Sequence, residues 1–585
     1  MNAGRLAALR LVLPQFGVDA VIVPRADEHL GEYVPARAER LAWLTGFTGS
    51  AGLAAVSATR ACVFSDGRYT LQLATQTDPA LWERRHMVEQ PAALFLVEAG
   101  AKRIGYDPWL ISEDGLKPYL DLGLVMVPLP SNPVDEIWLD QPRRPMGAAL
   151  PHPLELAGLS SQDKRAEIAA TLVKSNEAAC VITDPASVAW LFNLRGSDVP
   201  HTPFALGFAM VLADGSAMLF MDGAKLPAES RAWLGNQVEI IEPAMLPRTL
   251  GQLGGRRVRV DPAASPAWFG QTLRAAGAEV VAGADPCLLP KACKNAVEQA
   301  GSRAAHLRDA IAMCRFLHWF DNAGEGQTEL SVAARLLAFR QEMDGFRYES
   351  FPAITGSGPN GAIVHYRATP DSNRLIGRNE VYLIDSGGQY QSGTTDITRT
   401  LWTGPLPAPA ELRARYTSVL RGHIAIARLV FPAGVCGAHI DAFARAALWQ
   451  MGLDYDHGTG HGVGSFLSVH EGPVSLSRAA RPVPLAPGMI LSNEPGYYLQ
   501  GAYGIRIENL LLVRPMELPE AQKLFLGFET LSLAPIDARL IEPSLLTPDE
   551  RAWISAYHTR VRETVTPYLD APARRWLETA CVTFD

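Results

Sequence analysis

The chain has 585 residues, 48% of them hydrophobic and 19% charged, with a formal net charge of −8. That length predicts about three or four domains of ordinary globular usage, and the acidic balance with no basic run excludes a nucleic-acid surface. The seven cysteines are scattered, odd in number and form no CxxC pair, which argues against a disulfide framework and for a reducing, cytoplasmic compartment.

The first residues, to Leu13, read as an amphipathic helix interrupted by Arg5 and Arg10. No apolar run is long enough for a signal or membrane-spanning helix, so no membrane partner is expected. Two stretches then read as a diverged repeat. Strand Val18–Val23, the word Ala42-Trp43-Leu44 and two strands ending at Phe64-Ser65-Asp66-Gly67 are echoed later. The echo is strand Ala178–Ile182, Ala189-Trp190-Leu191 and strands ending at Phe220-Met221-Asp222-Gly223, the two ends lying 156 residues apart. This predicts two α/β domains of one design in tandem, residues 1–140 and 150–287. The proline-rich words Val127-Pro128-Leu129-Pro130 and Gln141-Pro142-Arg143-Arg144-Pro145 read as the linker between them. A second boundary falls near Asp285–Lys291. Beyond it, apolar residues at helical spacing from Asn295 to Phe320 open a third domain, residues 294–525. The tail, 526–585, holds a helix start at Thr547-Pro548-Asp549-Glu550, with Thr as N-cap and Pro and Glu inside the first turn. Trp553, Ile554, Tyr557, Val561 and Val565 follow as one apolar stripe, the pattern of core packing. The fold class is therefore α/β, with an α+β third domain.

Five residues of metal-ligand type stand in that third domain: Asp385, Asp396, His461, Glu494 and Glu508. Asp385 ends the apolar run Val381–Ile384, and Ser386-Gly387-Gly388 turns the chain. Asp396 begins a β-branched stretch to Leu401, so the two aspartates are expected on adjacent strands of one hairpin. His461 lies in the glycine-rich word His457-Gly458-Thr459-Gly460-His461-Gly462-Val463-Gly464, where backbone can approach a ligand closely. Glu494 closes Met489–Glu494. Glu508 sits in Gly504–Val513, read as one strand that points Arg506 and Glu508 to one face. A carboxylate at a strand end usually caps a turn. Charges inside apolar strand sequence need a partner or a metal. Four carboxylates and an imidazole suit two hard or borderline divalent cations, which together can activate a water near neutral pH.

The order Asp, Asp, His, Glu, Glu, with an eleven-residue step between the aspartates, resembles the "pita-bread" metallopeptidase family of methionine aminopeptidase, prolidase and aminopeptidase P. The words Asp385-Ser386-Gly387-Gly388, Thr395-Asp396-Ile397-Thr398-Arg399-Thr400, Val469-His470-Glu471-Gly472-Pro473 and Asn493-Glu494-Pro495-Gly496-Tyr497-Tyr498 are similar too, and the resemblance spans nearly the whole chain. It is closest to the long, three-domain Xaa-Pro aminopeptidase branch, which carries two creatinase-like N-terminal domains and a C-terminal extension.

The resemblance implies that Asp385 binds one metal and that Asp396 and Glu508 bridge the pair. It implies that His461 and Glu494 complete the second metal, with Glu494 also handling a water proton. His365, His457 and His470 match three active-site histidines that orient substrate and serve the tetrahedral intermediate. Arg506 would pair with a ligand carboxylate, and Tyr498 matches a pocket-rim tyrosine, with Tyr497 adjacent and easily confused with it. Manganese is the implied metal, with zinc and cobalt compatible, and a homodimer is implied.

Proline's nitrogen carries no hydrogen and its ring fixes φ. Enzymes that dock peptides as strands need that hydrogen, so an Xaa-Pro bond asks for a water nucleophile, a polarised carbonyl and an anchor for the free amine. The expected activity is release of the residue before a proline in second position. The alternatives are a prolidase acting on Xaa-Pro dipeptides, or a non-catalytic pita-bread module that binds peptides. Gly356-Ser357-Gly358-Pro359-Asn360-Gly361 fits GxGxxG, but it contains a proline and opens no helix, so it reads as a loop leading to His365.

Overall fold

A computed structural model describes residues 2–584, which form two units dividing after Leu288. The first unit holds two six-stranded sheets. Strands Ala20–Pro24, Leu53–Ser57, Ala61–Ser65, Glu83–His86, Arg103–Tyr106 and Val125–Pro128 make the first. Numbered along the chain, they lie in the order 4-3-2-1-5-6. Strands Ala179–Ile182, Phe208–Leu212, Ala217–Phe220, Val238–Ile241, Arg257–Val260 and Glu279–Ala282 make the second in the same order. In both, the first three strands pair antiparallel and the remaining pairings are parallel. The repeat legible in short words is thus a repeat of whole sheet topology.

The Trp-Leu words fall on helices, not strands. Arg40–Thr45 ends at Gly46 (φ 85°) and Pro185–Phe192 at Asn193 (φ 49°), each in the left-handed conformation that stops a helix. The proline-rich run read as a linker begins inside the fold. Val127 and Pro128 belong to the sixth strand, a sheet edge where a missing N–H is tolerated. Asn132 then caps helix Pro133–Ile137.

In the second unit Asn295 and Glu298 form a capping box that starts helix Ala296–Ala323. Strand Val381–Ser386 lies between Ile354–Ser357 and Ile397–Trp402, antiparallel to both. A four-stranded sheet runs Phe431–Pro432, Phe525–Thr530, Asn509–Met516, Ile490–Asn493. Helices Ala410–Ala427 and Gly437–Trp449 pack against each other. Gly504–Val513 is not one strand. Tyr503–Arg506 pairs with Gly496–Leu499, whereas Asn509–Met516 pairs with Ile490–Asn493 and Phe525–Thr530. The chain changes partners at Ile507–Glu508, where Ile507 N donates to Pro495 O and Glu508 N to Thr398 O. Ile505-Arg506-Ile507-Glu508 alternates and Leu510–Val513 is a continuous apolar run, and both are strand patterns, so no glycine or proline marks the break in the sequence.

The tail is part of this unit's core. Thr547 and Glu550 form the predicted capping box of helix Pro548–Val565. Ile554, Tyr557, Val561 and Val565 are buried in one cluster with Tyr416, Leu420 and Ile505. All seven cysteines are free thiols, and no helix among the described residues is long and apolar enough to cross a membrane. Ile554 is fully buried, so Ile554→Ala should lower unfolding stability by about 2–5 kcal/mol, read from urea denaturation. An unchanged midpoint would place this helix outside the cooperative core.

Candidate metal centre

The pairing of Val381–Ser386 with Ile397–Trp402 sets the two aspartates. Asp385 stands opposite Thr398, and Asp396 immediately precedes the second strand. Between them the chain makes a short two-stranded excursion, Gly388–Tyr390 against Gly393–Thr394. Gly387 permits it, because a Cβ there would lie 2.0 Å from Thr395 O.

Around these strands the other groups converge. Arg506 Nη2 donates to Asp385 Oδ2 at 2.6 Å. His461 Nε2 lies 3.6 Å from Asp396 Oδ2 and 3.4 Å from Glu494 Oε1. Thr398 Oγ1 donates to Glu508 Oε2 at 2.8 Å, and Ser492 Oγ to Glu494 Oε1 at 3.0 Å. Ligand-type atoms of Asp396, His461 and Glu508 all lie within 4.8 Å of one another. His461 Nδ1 is 3.0 Å from Gly462 O, which can only accept, so Nδ1 carries the proton. That leaves Nε2 turned toward the carboxylates.

This arrangement is unfavourable on its own. Burial first, then the neighbouring carboxylates, hold Asp396 and Glu508 well above the usual carboxylate range. Burial pushes Glu494 up to about 7, Arg506 opposing the rise and Asp385 adding to it. Asp385 Oδ1, Asp396 Oδ1 and Glu508 Oε1 are buried without a hydrogen-bond partner. Buried carboxylate oxygens left unpaired in a cluster that also holds an imidazole suit a cation. Oxygen-rich donors with one imidazole match hard to borderline divalent ions, and two such charges balance four carboxylates.

A hydrogen-bonded row flanks the cluster. His457 Nδ1 donates to Gly458 O at 2.7 Å, so its Nε2 accepts from Tyr498 OH at 2.9 Å. Tyr498 in turn accepts from Arg506 Nη1 at 2.6 Å. The buried Tyr498 phenol is raised to about 12 by desolvation, partly offset by Arg506. The adjacent Tyr497 ring instead lies 5.2 Å from the Arg415 guanidinium. The His470 ring stands edge-on to His461, centroids 4.3 Å apart. His365 is half-buried and follows Val364, whose carbonyl accepts from Arg506 Nη1 at 3.3 Å. The contacts thus join nine of the ten residues singled out from sequence, and His365 is placed by its neighbour. Sequence reasoning passed over Thr398, which binds both Glu508 and Arg506, and Ser492. A hydroxyl in a strand carries no signal of its own.

Residues 300–515 match the model of metallopeptidase family M24. Residues 5–119 and 140–298 match two creatinase/prolidase N-terminal domain models, and 524–584 the C-terminal region of peptidase M24. Fold and site together define an M24 metallopeptidase, of pita-bread type, preceded by creatinase-like domains. The chain is 39% identical over 617 residues to a probable Xaa-Pro aminopeptidase P of Coprinopsis cinerea, covering 98% of this chain and 97% of that one. It is 36% identical over 655 residues to aminopeptidase P1 of Lotus japonicus, covering 98% of each. An X-prolyl aminopeptidase from Caenorhabditis elegans, described as a cytosolic enzyme with a di-nuclear active site, superposes over 100% of both chains at TM-score 0.94 and 32% identity. The chain belongs to the aminopeptidase P family.

Glu494 also predicts a pH dependence for metal-stripped protein. Its folded pKa of about 7 exceeds the ordinary value of 4.5, so the folded state binds the extra proton. Its contribution is fully present below about pH 4.5 and is lost as pH rises through about 7. Relative to Glu494→Gln, the metal-free parent should lose stability between about pH 5.5 and pH 7.5, read from urea midpoints. A relative gain would contradict a raised Glu494.

Proposed function

We propose that this chain is a metal-dependent aminopeptidase that hydrolyses the Xaa-Pro bond and releases the N-terminal residue of peptides with proline second. The observation that carries this is the buried cluster of four carboxylates and His461, with three orphan oxygens, in a chain similar end to end to aminopeptidases P. Asp385, Asp396, His461, Glu494 and Glu508 would hold two divalent cations, Asp396 and Glu508 shared between them, and the oxygen-rich set favours manganese over zinc or cobalt. When bound, the metals supply Lewis-acid polarisation of the scissile carbonyl and a water nucleophile near neutral pH.

The chain's own groups supply the rest. Glu494, as a carboxylate once cations occupy the cluster, would take up the proton of the attacking water. His457, accepting from Tyr498, together with His365 and His470, orients the peptide and serves the tetrahedral intermediate. Arg506 fixes Asp385 and Tyr498 at once through two arms of one guanidinium. The proposed partition is residues 1–140, 150–287, 294–525 and 526–585, the third carrying the chemistry. The free thiols and the cytosolic C. elegans enzyme support a cytoplasmic protein, and a homodimer is our expected state.

Metal-stripped protein with and without added manganese, offered Arg-Pro-Pro, Arg-Ala-Pro and Arg-Pro, tests the reading by mass spectrometry. Metal-dependent release of arginine from Arg-Pro-Pro alone is expected. Preferred cleavage of Arg-Pro would make the protein a prolidase, and no cleavage with any metal would leave a peptide-binding module. Asp385→Ala and Glu508→Ala should lose metal and hydrolysis together. His470→Ala should keep its metal while kcat falls by about 10²–10⁴-fold, and metal loss in that variant would make His470 a ligand.

A further inference from the structure

Behind the loop that bears His457 lies a buried ion pair that the proposed chemistry does not use. Asp441 and Arg445 stand one turn apart on helix Gly437–Trp449, each 1% exposed. Arg445 Nε donates to Asp441 Oδ2 at 2.7 Å. The rest of its guanidinium is spent on the loop. Nη1 donates to Tyr455 O at 2.7 Å and Asp454 Oδ1 at 2.8 Å, and Nη2 to His457 O at 2.8 Å. Asp441 Oδ1 accepts from Thr459 Oγ1 at 2.6 Å, and Tyr455 OH donates to that same hydroxyl at 2.6 Å. The Arg445 guanidinium also lies 3.9 Å over the Tyr455 ring, which itself packs 4.8 Å from His457.

A buried ion pair is weak evidence for stability, since apolar side chains of like volume serve a core as well. What this pair does is grip four consecutive-loop residues, 454, 455, 457 and 459, from one helix face. The last link of that grip is the main chain of His457, whose Nε2 meets Tyr498 and, through it, Arg506 and Asp385. Two arms of a planar fork reach three loop acceptors while the third holds Asp441, a geometry lysine cannot reproduce.

We propose that Asp441 and Arg445 are positioning residues that hold the His457 imidazole against Tyr498, and that they act on turnover through His457. This rests on the role given to His457 above. In the metal-loaded enzyme with Arg-Pro-Pro, Arg445→Lys and Asp441→Asn should each lower kcat by about 10–100-fold while the bound metal per chain stays at the parent's value. The double variant Arg445→Lys/His457→Ala should be no slower than His457→Ala, because the two changes break one linkage. Losses that multiply, or a parent-like kcat in both single variants, would overturn the proposal. A crystal structure of Arg445→Lys gives a readout independent of hydrolysis. The proposal expects His457 Nε2 parted from Tyr498 OH, and a contact retained at 2.9 Å would overturn it even if the peptide chemistry proved to be different. Absence of Xaa-Pro hydrolysis by the parent, with the contact broken in the variant, would instead sink the functional reading alone.

Discussion

Four carboxylates drawn together out of water repel one another, and the second unit is built to hold them there. Each is fixed by a different device. Strand pairing places Asp385 opposite Thr398. Thr398 and Arg506 then divide the restraint of Glu508 and Asp385 between them. Glu494 is tied through its N–H to Thr459 O and through its carboxylate to Ser492. Arg506 donates directly to a cluster carboxylate, and one positive charge cannot offset four negative ones. The raised Asp396, Glu494 and Glu508 record the remainder. The fold thus stores an electrostatic deficit that divalent cations relieve, which makes ion binding and local stability one quantity.

The same economy of buried charge recurs behind the three histidines. Glu329, fully buried, accepts from Ser357 N, Tyr366 OH and Arg374 N, and so closes the loop that contains His365. Asp441 with Arg445 grips the loop of His457. Glu471 receives Lys294 at 2.6 Å and Lys291 at 3.2 Å, and its N–H donates to Gly462 O, which ties His470 to the strand of His461. Each imidazole on a flexible-looking, glycine-containing stretch is therefore anchored by a carboxylate that never meets solvent. Loops can carry chemistry when their main-chain groups are satisfied from behind.

What the sequence disclosed follows from how local each signal is. Asp385 lies near the end of one strand and Asp396, eleven residues on, immediately precedes its partner strand, so their meeting needs only a hairpin. Arg506 and Glu508 announced themselves as charges in apolar sequence, and the Thr547 cap and its stripe were readable because a helix repeats every turn. The change of strand partner at Ile507–Glu508 was not readable, since both sides carry strand patterns without a glycine or proline between them and the cause lies at Pro495 and Thr398. Asp441 and Arg445 look in sequence like an ordinary surface pair spaced for one helix turn. Their burial depends on the loop folded over them. Short matching words exposed the N-terminal repeat, whereas the shared 4-3-2-1-5-6 strand order exists only in three dimensions.

The tail shows how far the demand for a rigid cluster reaches. Arg399 faces away from the carboxylates and is buried, yet its Nη1 donates to Glu508 O at 2.7 Å and its Nη2 to Ala534 O and to Tyr557 OH. Tyr557 belongs to the C-terminal helix. A guanidinium here spans from the main chain of a cluster carboxylate to the extension, and every acceptor it meets is neutral. Such a cation is tolerable in a core because its hydrogen bonds are filled and because four carboxylates lie on the other side of the strand that carries it. Loss of the terminal helix would strip Tyr557 from Arg399 and leave Nη2 held by Asn509 Oδ1 and Ala534 O alone. The extension is therefore better understood as the outer wall of the site than as an appendage to it.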